Sequence, residues 1–139
     1  MRRIAIVAAL AVTLAASLGA CSSSGSGLTG KTWQWTASTT KAPASQSVVP
    51  DPQNYNIAFN NNATYSGKAD CNNISGGYTT SGSDGLALTP GPTTLAQCPP
   101  GSQSDAYIQG LALTKTYAIS GSTLTLTAAN GDTMTFAAK

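Results

Sequence analysis

Tyr117-Ala-Ile-Ser-Gly-Ser-Thr-Leu-Thr-Leu-Thr-Ala-Ala-Asn-Gly-Asp-Thr-Met-Thr-Phe136 decides the fold class. Tyr117/Ile119, Leu124/Leu126 and Met134/Phe136 each place apolar residues two apart, which puts them on one face of an extended strand. Ser120-Gly121-Ser122 and Asn130-Gly131 separate the three runs. Asn-Gly between alternating runs is a strong hairpin signal, because both positions accept the left-handed backbone of a tight turn. The stretch therefore reads as three antiparallel strands sharing one apolar face.

The same period recurs upstream. Lys31 to Thr36 alternates with Trp33 and Trp35 on one side, and Tyr55 to Phe59 alternates again. Asn60-Asn61-Asn62 reads as a turn, since Asn tolerates left-handed geometry. Ala63 to Ala69 then returns with Tyr65 inward. Gly76 to Thr80 and Leu86 to Thr89 flank a Ser83-Asp84-Gly85 turn, and Thr93 to Gln97 is expected as a further short strand. Residues 37–53, with Pro43, Pro50 and Pro52, are expected to form a long loop. Ser102 to Leu113 is the helical candidate, with Ser102 or Ser104 as cap, Asp105 in the first turn, and Tyr107, Ile108 and Leu111 at helical spacing. The chain is thus mainly β, with about eight short strands and one short helix, and is expected to close a small antiparallel barrel.

At the N-terminus, Arg2 and Arg3 precede an apolar run from Ile4 to about Ala16, followed by Leu18-Gly19-Ala20-Cys21. This order fits an export signal ending in a bacterial lipobox, with residues 1–20 removed and Cys21 lipidated. The apolar run is shorter than the ~20 residues of a membrane-spanning helix. Ser22 onward is Ser/Gly-rich, so residues 21–30 are expected to be a flexible tether and the domain to occupy 31–139. Attachment to the membrane is expected through the lipid on Cys21. The location is then the cell envelope: the outer face of the plasma membrane, or the outer membrane of a Gram-negative host.

Cleavage also changes the charge. The formal net charge of +2 comes from Arg2 and Arg3, because beyond residue 20 five lysines balance five aspartates. That leaves no electrostatic footprint for nucleic acid. The exported part has no His, Glu or Arg. Ser-His-Asp and Cys-His catalysis, His-ligated zinc and bidentate Arg clamps are thereby excluded. No cofactor, metal site or catalytic residue is expected, and the protein is read as non-enzymatic. An enzymatic alternative would rest on Asp70 or Asp105 with Tyr78 or Lys68; helix-dipole stabilisation accounts for Asp105, and capping of the turn around Cys71 for Asp70. Cys71 and Cys98 lie in an oxidising compartment and allow one pairing, so a disulfide is the default.

Asp70-Cys71-Asn72 with Gly77-Tyr78 resembles the Gly-Cys-Asn…Gly-x-Tyr motif of the META domain (HslJ-like) family, and Thr93 to Pro99 resembles its Thr-x-x-Ala-Cys-Pro segment. Trp33, the Phe59…Tyr65-Ser66-Gly67 pair and the Tyr117–Phe136 tail match in order, so the resemblance runs from Lys31 to Phe136. Asp70 stands where the family usually has Gly, and Gln97 where it has Ala. The resemblance implies a lipocalin-like barrel, often in an envelope lipoprotein, with links in some members to heat shock or antibiotic tolerance. Two roles follow as expectations. One is a stress-response or ligand-binding module in which Trp33, Trp35, Tyr55 and Tyr78 are candidate contacts for a small apolar ligand. The other is an interaction module, such as an inhibitor or chaperone of an envelope protein, using the 37–53 segment.

Overall fold

The computed structural model describes residues 27–139; Cys21, the expected export signal and most of the expected tether lie outside them. Nine strands and one helix follow in chain order: β1 (Thr32–Lys41), β2 (Ala44–Val48), β3 (Tyr55–Phe59), β4 (Thr64–Ala69), β5 (Asn72–Ser81), β6 (Gly85–Pro90), α1 (Ser104–Ala112), β7 (Thr114–Ser120), β8 (Thr123–Ala128) and β9 (Thr133–Ala138). Every neighbouring pair is antiparallel, and β1 pairs with both β3 and β9. Eight strands thus close a barrel, and β2 hangs outside it as the second leg of a hairpin on β1. Closure removes the barrel's own edges from solvent.

The inward set is the one that the two-residue period selects. Trp33, Trp35, Tyr55, Ile57, Phe59, Tyr65, Leu124, Leu126, Met134 and Phe136 are all buried. The pairings Leu124↔Phe136 and Leu126↔Met134 put the tail's apolar residues side by side. Close approach of strands imposes its own demand at Gly76, where a Cβ would collide with the Thr89 carbonyl and the Tyr65 ring. The barrel is least tightly closed between β6 and β7, which pair at Gly85↔Thr116. There α1 packs across β6 and sends Tyr107 and Leu111 into the core.

Four expectations are corrected. Residues 37–53 are not a long loop: β1 continues to Lys41, turns at Ala42-Pro43 and returns as β2 in register Thr40↔Ser45, Ser38↔Ser47. Both faces of β2 are exposed, so no apolar alternation marks it, and Pro43 sits in the turn rather than ending a strand. Thr93 to Gln97 forms no strand, because its polar groups bond to Asn72 and Asn73 instead of a ladder. In the turn after β3 the positive φ falls on Ala63 (61°), not on an Asn. The helix starts at Ser104 with Gln103 as N-cap, and Ser102 Oγ accepts from the Ser104 amide at 3.2 Å.

Packing also begins earlier than Lys31. Leu28 is 1% exposed, Thr29 bridges to Phe59, and Trp33 Nε1 donates to the Leu28 carbonyl at 2.9 Å. The chain therefore enters at one rim of the barrel, with the β3–β4, β5–β6 and β7–β8 turns. The opposite rim carries α1, the β4–β5 and β8–β9 turns and the β1–β2 hairpin.

Candidate functional site

A groove of about 310 Å³ lies at the rim away from the chain entry, between α1, the β1–β2 hairpin and β8–β9. It exists because β1 outruns the barrel. A bulge between Trp35 and Ala37, opposite β9, bends the strand, and its upper half leaves β3 to pair with β2. Trp35, Leu126, Met134, Ala106, Gly110 and Leu113 make the apolar part of the lining. Ser38, Thr39, Thr40, Ser47, Gln103 and Thr133 supply the polar part, and Leu113 is 51% exposed at its lip. Asp132 is the single charged residue of the lining. Its carboxylate already accepts from the Lys41 amide at 2.9 Å and from Asn130 Nδ2 at 2.8 Å. A neutral, mainly apolar group is what such a surface can hold.

The four expected aromatics do not form one cluster. Trp35 is the one that reaches the groove, while Trp33 and Tyr55 are core. Trp35 packs edge-on against Tyr55 with centroids 5.4 Å apart, and Tyr107 lies 5.2 Å from Trp35 and 5.6 Å from Tyr55. Tyr55 Oη accepts from the Gln103 amide at 2.8 Å, which ties the start of α1 to the barrel. Tyr78 sits apart, edge-on to Phe59 at 5.1 Å, with its hydroxyl donating to the Asn60 carbonyl. Burial, then the neighbouring Tyr117, raises its pKa. Leu113, Met134 and the hairpin hydroxyls do not stand out in the sequence, because nothing local says which elements meet at the groove.

Tyr107 is fully buried, and its hydroxyl has no hydrogen-bond partner among the described residues; Ser104 Oγ shares that condition. Burial first, then the nearby Tyr65, pushes the Tyr107 pKa well above the usual value. An unpartnered buried hydroxyl costs about 1–3 kcal/mol, so Tyr107→Phe is expected to be neutral or to stabilise the fold by about 1 kcal/mol. The same substitution has a pH signature. Below pH ~10 Tyr107 is neutral in folded and unfolded chains and adds no pH dependence to stability. Above pH ~10 the unfolded chain alone loses that proton, so wild-type stability falls as pH rises. Urea titrations at neutral pH and above pH ~10 should show a smaller alkaline loss in Tyr107→Phe than in wild type. A destabilised variant with an unchanged alkaline loss would contradict the buried, unpartnered hydroxyl.

At the β4–β5 turn, on the barrel rim that also carries α1, Cys71 and Cys98 are joined by a disulfide with Cα atoms 5.5 Å apart. Asn72, next to Cys71 and buried, organises the strandless segment after β6. Its Nδ2 donates to the Ala96 carbonyl (3.0 Å) and Cys98 Sγ (3.4 Å), while Oδ1 accepts from the Ala96 amide (2.8 Å) and Thr94 Oγ1 (3.0 Å). Asp70 adopts a positive φ of 60°, the conformation for which a glycine is best suited. Its carboxylate caps nothing among the described residues; instead its amide donates to the Asn54 carbonyl. Asp105 occupies the first turn of α1 as expected. Tyr78 lies toward the chain-entry rim, so the structure does not bring it together with Asp70 or Asp105. Among the described residues no group of three or more His, Cys, Asp or Glu side chains is placed to hold a metal.

Comparison with known proteins agrees with this architecture. An NMR structure of a protein from Burkholderia xenovorans superposes with a TM-score of 0.64 at 25% identity, covering 81% of this chain and 83% of the other. A crystal structure of a DUF4847 family protein from Bacteroides vulgatus superposes with a TM-score of 0.58 at 16% identity, covering 79% of this chain and 93% of the other. The second likeness shows the fold alone. No curated protein matches the chain. The META domain family matches residues 26–139, the span that holds the strands, helix and disulfide of the described residues, and the chain belongs to that family.

Proposed function

We propose that this META domain is a non-enzymatic, lipid-anchored binding module of the cell envelope, serving a stress response, and that the groove is its binding site. The groove carries the reading: a concave, mainly apolar surface with a polar lip, formed where α1 and the β1–β2 hairpin stand beside barrel strands β8 and β9. The absence of His, Glu and Arg beyond residue 20 supports a non-catalytic role. Lipidation at Cys21 rests on the Leu18–Cys21 tetrapeptide. The seven residues from Ser22 to Leu28 span at most about 25 Å. An anchored domain would keep its entry rim near the bilayer and turn the groove away from it, toward soluble partners.

Two measurements test the proposal. Cells fed an alkyne fatty acid should label the wild-type chain, and Cys21→Ser should abolish the label; a label that persists overturns the anchoring. For the groove, the domain spanning residues 26–139 should enhance the fluorescence of neutral phenylnaphthylamine. Ala106→Trp, which fills the groove from an exposed helix position, should weaken that binding about tenfold or more, about 1.4 kcal/mol, with an unchanged thermal transition. Equal binding by the variant, or none by the wild type, would remove the groove as the site.

A further inference from the structure

The outer edge of β2 has no strand beside it among the described residues, and all five of its residues are exposed. Free edges are usually blunted by charge, proline or a bulge, because unpaired backbone groups template the addition of another strand. Ala44-Ser45-Gln46-Ser47-Val48 has none of these; Lys41, Pro43 and Pro50 all lie outside it. The barrel, by contrast, is closed through β1 and β9. The edge also adjoins the groove. Thr40 and Ser45 share a hydrogen bond of 2.8 Å across the hairpin, and Ser38, Thr40 and Ser47 line the groove on that face. A strand added beside β2 would continue this hydroxyl face, with alternate side chains turned toward the apolar floor.

We propose that the free edge of β2 and the groove together form a docking site for an extended, uncharged peptide segment of another protein, whose backbone pairs with β2 while one large apolar side chain enters the groove. This deepens the reading of the groove as the binding site and depends on it. Three observations select this occupant. β2 carries no charge, and the carboxylate of Asp132, the one charged residue of the groove, is held at the β8–β9 turn by the Lys41 backbone amide and Asn130, so the pairing edge itself offers a charged segment no counterpart. The groove volume of about 310 Å³ stands at the lower limit for small-molecule sites, room for one side chain rather than an extended ligand. A second copy pairing through β2 would bring five residues per protomer into contact, against about 20–30 a side in a stable interface. Strand addition with side-chain pockets is an established mode of peptide recognition.

The test uses the full chain in lipid nanodiscs and a blocked peptide with one photoreactive benzoylphenylalanine flanked on each side by three threonines. Irradiation should crosslink it to Leu113, the C-cap of α1, and Met134 on β9, both groove residues. The same peptide N-methylated at alternate amides, which cannot pair with an edge, should crosslink about tenfold less. Ala106→Trp should lose the crosslink with the fold intact. Equal crosslinking by the N-methylated peptide overturns the strand-pairing proposal while leaving a groove that binds small apolar groups. Absence of any groove crosslink, with phenylnaphthylamine still bound, likewise overturns strand pairing and leaves the groove; loss of both overturns the groove reading as well. Dimerisation through β2 in sedimentation would assign the edge to a second copy and overturn the peptide.

Discussion

Trp33→Ala is expected to lower the unfolding free energy by about 3–5 kcal/mol, the cost of deleting a large aromatic from a packed core. Trp33 is fully buried on β1, the strand that closes the barrel between β3 and β9. Its Nε1 also holds the Leu28 carbonyl, so the substitution removes a hydrogen bond along with the packing. Domains of this size have about 5–15 kcal/mol of stability, and the variant should sit near the margin of folding. Urea unfolding followed by circular dichroism measures the loss, and amide exchange at Leu28 and Phe59 should rise more than at Leu124. A loss under ~1 kcal/mol would place Trp33 outside the core.

Removing the disulfide, by Cys71→Ser with Cys98→Ser, should cost about 3–4 kcal/mol on the chain-entropy account for a crosslink between residues 27 apart. The effect has a location. The segment from Gly91 to Gln103 has no ladder of its own and is held by the disulfide, by Asn72 and by single bonds such as Ser75 Oγ to the Pro92 carbonyl. Exchange protection should therefore fall first at Ala96, whose amide bonds to Asn72, and last in β8 and β9. A midpoint unchanged by the double substitution would show that Asn72 and the Tyr55–Gln103 bond suffice to order the segment.

Each device was legible to a different degree. The closing strands, the Trp33 face, Tyr65 inward and the helix with Tyr107 and Leu111 all follow from period, because a half-buried strand or helix must alternate to bury one face. The cysteine pairing was readable from count, since the two cysteines beyond Cys21 allow one pairing between them. The β1–β2 hairpin was not, since Ser, Thr, Gln and Ala on both of its faces carry no burial signal, and its position depends on where β1 leaves the barrel. Asn72 reads as an ordinary loop Asn until Ala96 and Cys98 are brought beside it.

The sequence by itself determined the class of the protein: an antiparallel β-barrel with one helix and a single crosslink, close to neutral and without His, Glu or Arg beyond residue 20. Those properties are local, set by period, turn chemistry and composition. Only the tertiary structure decided where the groove and the free strand edge lie. The groove draws Trp35, Leu113, Leu126 and Met134 together from elements far apart in sequence, β1 at the start of the described residues and α1, β8 and β9 toward their end. The free edge beside it exists because the bulge after Trp35 turns β1 away from its barrel neighbour. Both are consequences of strand register and closure, which depend on pairing between distant parts of the chain and leave no mark on any one stretch of it.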